Sequence, residues 1–186
     1  MTGKQNLAQP VDTDLPKALA TLINEAMTSL QESFHDLTDE QAWSRPFADK
    51  PSIGTIVMHL SETLDTYACK FQSGQTALEH QARFNLWNQP EGHWPEDEED
   101  LPTVEQLLKR HAVLWSAIGI AIRAATTEDL LGKRHCDNWW TERKRTASDA
   151  LMRAVGHAMA HVRQIWLIRG AMGLTSSKAW PRQHLA

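Results

Sequence analysis

Apolar residues recur at helical spacing in four separate segments of the chain, and no stretch alternates apolar and polar residues for long enough to make a strand. That pattern restricts the chain to helices packed on helices. The first segment, from about Asp14 to Asp36, carries Leu15, Leu19, Leu22, Ile23, Ala26, Leu30 and Phe34 on one face. Thr38, with Gln41 three residues on, has the form of a capping box and opens a short turn of helix. "SRPFADKPS" then breaks the pattern with two prolines and leaves Ser52 as the N-cap of the second segment. There "SIGTIVMHLSETLDTYACKF" puts Ile53, Ile56, Val57, Leu60, Leu64, Tyr67 and Phe71 within an arc of about 100°. A capping box of Thr103 and Gln106 starts the third, whose face holds Val104, Leu107, Leu108, Leu114, Ile118 and Ile122. Thr146 with Asp149 opens the fourth, which closes at Gly173 and carries Leu151, Ala154, Val155, Ala158, Val162, Ile165 and Trp166.

Four amphipathic helices of about 20 to 27 residues bury their stripes only by packing around one another. The expected fold is an all-α four-helix bundle with long crossover connections, a single domain over residues 1–174 followed by a C-terminal tail, 175–186. With 186 residues, 41% of them hydrophobic, there is enough apolar surface to close a core. The irregular stretches 72–102 and 126–145 are long enough to cross the bundle, so a simple up-down-up-down order is not required. No internal repeat is present.

A formal net charge of -4 supplies no basic field for nucleic acid or an anionic membrane, so neither is expected as a partner. The N-terminus has no apolar signal region and no later run is long enough for a membrane span. Cys69 and Cys136 lie far apart with no metal or disulfide spacing, which suits reduced thiols in a cytoplasmic protein.

Within the fourth segment, "GHAMAHVRQIW" sets His157 and His161 four residues apart. At about 100° per residue from Leu151 they fall on one margin of the apolar stripe, with Gln164 beside them. His59 occupies the corresponding margin of the second segment. Imidazoles at an i, i+4 spacing can converge on one divalent ion, and a third from a facing helix would leave positions open, as in catalytic zinc sites. Glu62, three residues after His59, could add a carboxylate or support the site from behind. A margin is also where an ordinary half-exposed histidine sits, so spacing alone leaves a structural role open. A metalloprotease is excluded, because Ala158 stands where HExxH carries its glutamate.

Taken together, "SIGTIVMHLSETLDTY", "TVEQLLKRH" through "TTEDLLG", and "TASDALMRAVGHAMAHVRQIWLIRGAMGL" resemble the DinB-like (damage-inducible) four-helix metal-binding family over roughly Leu15 to Leu174. The most specific part is a mid-helix histidine in "SIGxxxxHL" combined with HxxxHxxQI on the last helix. The resemblance implies His59, His157 and His161 as metal ligands, a divalent ion such as zinc, nickel or iron, and often a homodimer. Val162 and Arg163 depart from the Arg-Gly of many members, which bears on local packing. It further implies a small-molecule substrate and a low-molecular-weight bacterial thiol as cosubstrate, in S-transfer or isomerisation that needs no protein nucleophile. The alternative is a non-catalytic stress-response bundle in which the ion stabilises the fold.

The remaining features have plainer readings. Trp87, Trp94, Trp139 and Trp140 in the connections could wall a pocket but more simply plug the bundle ends. His80, His93, His111, His135 and His184 read as solvated or capping residues. His135 and Cys136 are adjacent, which suits chelation of one ion poorly, and the acidic run at 96–100 reads as a solvated loop. An interaction module that uses exposed tryptophans is the weakest reading.

Overall fold

The structure is a computed structural model that describes residues 14–70, 75–81, 84, 95, 100–134 and 145–174. Its helices are α1 (Leu15–Phe34), α2 (Asp39–Trp43), α3 (Ile53–Leu64), α4 (Val104–Ala124), α5 (Thr127–Leu131) and α6 (Ala147–Ala171). The four long ones are those expected. The starts of α2, α3, α4 and α6 follow the capping chemistry: Thr38, Ser52, Thr103 and Thr146 each accept a backbone N–H three residues on. Gly173 closes α6 at φ +72, a conformation that favours glycine.

Packing places α1 against α4 and α6, and α3 against the same two helices, so α1 and α3 occupy opposite corners of the bundle. The small helix α2 lies along α3 and covers a further side of it. Eleven of the twelve α3 residues are therefore buried, where periodicity implied a single stripe. Helical hydrogen bonding then changes register: Asp65–Lys70 forms a π-helical segment that continues α3, not the uninterrupted α-helix expected. Two further elements were not expected. Thr126 and Asp129 cap the short α5, and Lys133–Arg134 pairs antiparallel with Arg145–Thr146. This two-residue ladder brings the chain that follows α5 beside the start of α6.

Burial departs from the periodic reading at two positions. Leu22 is 37% exposed, because it falls just outside the arc from Ser33 to Met27 that α1 turns inward. His111, read as solvated or capping, is 1% exposed and continues the buried row Val104, Leu107, Leu114, Ile118 and Ile122. Its ring lies edge-on to Phe34 and near Trp115. Apart from a weak contact with the Met27 backbone, its nitrogens have no well-formed hydrogen bond, and burial pushes its pKa down to about 4.

Arg169, near the end of α6, closes the far corner. It is 2% exposed and binds Asp36 with two parallel hydrogen bonds of 2.7 and 3.0 Å. One of its nitrogens also reaches the Ser33 carbonyl, and its guanidinium lies 5.0 Å from the Trp166 ring centre.

Two outcomes are expected. An unfolded histidine takes up its proton near pH 6.5, whereas folded His111 does so only near 4. The contribution of His111 is thus complete above pH 6.5 and is lost as pH falls toward 4, a few kcal/mol in all. His111→Leu should flatten this acid limb of stability against pH in denaturant titrations. Asp36→Ala should destabilise by about 3 kcal/mol, more than Arg169→Met, since only the first leaves a buried cation unpaired; thermal midpoints would show the order.

Candidate metal centre

Helices α3 and α6 face each other, and their histidines meet between them. His59 is buried on α3, while His157 and His161 are half-buried on α6. Each offers one nitrogen, and the three lie within 4.8 Å of one another. His59 Nε2 and His157 Nε2 are 3.1 Å apart. Two nitrogens bound tetrahedrally at about 2.0 to 2.1 Å from one ion would lie about 3.3 Å apart, so this spacing is close to that of a filled site.

The protonation state also fits. Burial, followed by the neighbouring imidazoles, pushes the pKa of His59 down to about 3, and burial pushes His157 down to about 4. His161 is lowered by burial as well. Neutral imidazole is the form that binds a metal, so no proton need be removed at neutral pH. The donor set is three nitrogens; among the described residues no carboxylate joins it.

Two of the rings are oriented from behind. His161 Nδ1 makes a short hydrogen bond to Gln164 Oε1, and because an amide oxygen only accepts, Nδ1 carries the proton and Nε2 keeps its lone pair. The Phe84 backbone also approaches the His59 ring, where it favours a proton on the imidazole. The expected supporting residues are therefore placed differently. Gln164 touches a histidine of the cluster, whereas Glu62 receives the Gln81 amide at 2.6 Å and lies 3.4 Å from Arg110 Nη2. Phe84 escaped sequence reasoning because it lies in an aperiodic connection. Its one signal was a large apolar residue among polar ones.

Gly54 in the "SIG" sequence has a packing reason. A Cβ there would meet the Trp43 ring at 2.7 Å, so glycine lets the indole lie flat on α3. Trp43 in turn packs on Phe84 and donates from Nε1 to the Pro102 carbonyl at 2.8 Å.

Of the other residues singled out, His80 binds Asp65 at 3.0 Å and His111 belongs to the core. Cys69 is buried, and burial beside Asp65 pushes its thiol up to about 12, which excludes it as a ready thiolate. His93, His135, Cys136, His184, Trp87, Trp94, Trp139, Trp140 and residues 96–99 lie outside the described residues. No helix among those described is long and apolar enough to cross a membrane.

Gly54→Ala should destabilise the fold by about 1 to 3 kcal/mol through overpacking against Trp43, read as a lower denaturant midpoint with unchanged slope.

No curated protein matches the chain. The family model described as mycothiol S-transferase matches residues 18–173, a span that holds α3, α6 and all three clustered histidines. The chain belongs to the mycothiol S-transferase family.

Proposed function

We propose that His59, His157 and His161 hold a divalent ion and that the protein transfers a low-molecular-weight thiol, mycothiol in the first instance, to a small electrophile. The observation that carries this reading is the convergence of three neutral imidazole nitrogens from two facing helices, within a chain of this family. Three protein ligands leave room for a further one, as catalytic sites require. Zinc, nickel and iron all suit a nitrogen set of this kind. A divalent ion at such a site supplies thiol activation, because coordination lowers a thiol's pKa enough to ionise it at neutral pH.

The chain's own residues hold and orient. Gln164 keeps the His161 proton on Nδ1, so that ring presents Nε2, and the Phe84 backbone stands beside the His59 ring, whose own Nε2 lies 3.1 Å from His157 Nε2. Cys69, with its raised pKa, takes no part as a nucleophile. The sulfur that bonds to the electrophile is then the cosubstrate's, and its proton leaves to solvent or to the leaving group.

Elemental analysis of the purified protein should give close to one divalent ion per chain, lost in His59→Ala and His161→Ala. Conjugation of the thiol to a panel of small electrophiles should disappear in the same variants. Metal binding and a chelation-sensitive thermal midpoint without turnover would favour the non-catalytic bundle. No metal after reconstitution would overturn the reading.

A further inference from the structure

Residues 75–81 lie beside the end of α3 and its π-helical continuation, and two buried carboxylates, Glu62 and Asp65, attach them. Asp65, fully buried, accepts the amides of Ala77 and Leu78 at 2.8 and 2.9 Å and the His80 ring at 3.0 Å. Glu62 accepts the amide of Gln81 at 2.6 Å. The Gln81 carbonyl then accepts the amide of Phe84 at 3.0 Å, and the Phe84 backbone meets the ring of His59. Hydrogen bonds thus run from Glu62 through Gln81 to Phe84, whose backbone approaches the His59 ring. Glu62 and His59 sit on the same helix, three residues apart, yet their link passes through a separate piece of chain.

We infer that Glu62 is a positioning residue for His59: it anchors the Gln81–Phe84 turn, whose backbone holds the His59 ring with its proton on Nδ1 and Nε2 turned toward His157 and His161. This rests on the three-histidine reading above and gives Glu62 a part in it that is neither ligand nor direct partner. Arg110 steadies the arrangement from the other side, with Nη2 2.7 Å from the Glu79 carbonyl and 3.4 Å from Glu62. The π-helical register matters here, because it begins at Asp65 and this carboxylate holds the preceding part of the same segment. In the unloaded protein the arrangement makes His157 Nε2 the donor to His59 Nε2 across their 3.1 Å contact.

The test compares the full-length wild type with Glu62→Ala, Glu62→Gln and His59→Ala. One readout is the His59 tautomer, from long-range proton–nitrogen NMR of the metal-free protein. The others are zinc affinity by chelator competition and the visible spectrum of the cobalt-substituted protein. The wild type should show His59 protonated on Nδ1. Glu62→Ala should lose that single tautomer, weaken zinc by about 10- to 100-fold and shift the cobalt bands. Glu62→Gln retains an oxygen for the Gln81 amide and should stay within a few-fold of wild type. A folded Glu62→Ala with the wild-type tautomer and affinity overturns the inference. Should that variant fail to fold, Gln81→Pro removes the amide donor instead and carries the same expectations and the same overturning result. If the wild type binds no zinc, the metal reading falls, and the tautomer comparison still decides the role of Glu62.

Discussion

Burial of α3 on every side is the constraint on which the rest of the structure depends. A helix enclosed by α4, α6 and α2 has no solvent face on which to leave its polar groups, so each must find a partner inside the protein. Ser61 turns back to the Val57 carbonyl at 2.8 Å, and Ser52 and Thr55 satisfy one another at the helix start. Glu62 and Asp65 are too large for that solution. They take amides from the segment at 77–81 instead, and this draws a length of irregular chain against the helix. The same enclosure keeps His59 neutral, since a charged ring there would be stripped of water beside two other imidazoles.

The histidine cluster combines two kinds of helix. α3 contributes one imidazole from inside the core, while α6 contributes its pair from a margin that alternates buried alanine with half-buried histidine. Ala154 and Ala158, both fully buried, stand on α6 beside the two histidines. At the other end of α6 the Arg169–Asp36 pair ties its last turn to the exit of α1. The histidine pair thus lies on a helix held along its length, by α3 and α1 through packing and by Asp36 through charge.

Much of this was legible in the residues. The capping boxes at Thr38, Thr103 and Thr146 and the N-cap Ser52 mark true helix starts, because a hydroxyl three residues before a backbone N–H is a local interaction that needs no tertiary context. Helical angles alone put His59, His157 and His161 on corresponding margins, and these three meet. His111 was the converse. Its place four residues after Leu107 and seven before Ile118 is a core position, although its residue type suits a solvated one. Leu22 is the reverse case, an apolar residue that stands just outside the face α1 buries.

What the sequence by itself determined is the helical class, the starts of the long helices and the faces that carry the histidines. Each follows from interactions between residues at most a few positions apart. Only the tertiary structure decided that α1 and α3 take opposite corners, that α3 is buried all round, and that its helical register changes at Asp65. It alone also placed Phe84 behind His59. That contact joins an aperiodic stretch of chain to a helix across many residues, and no local pattern encodes it: buried Glu62 and Asp65 take amide donors from the same stretch, because the helix itself cannot supply them.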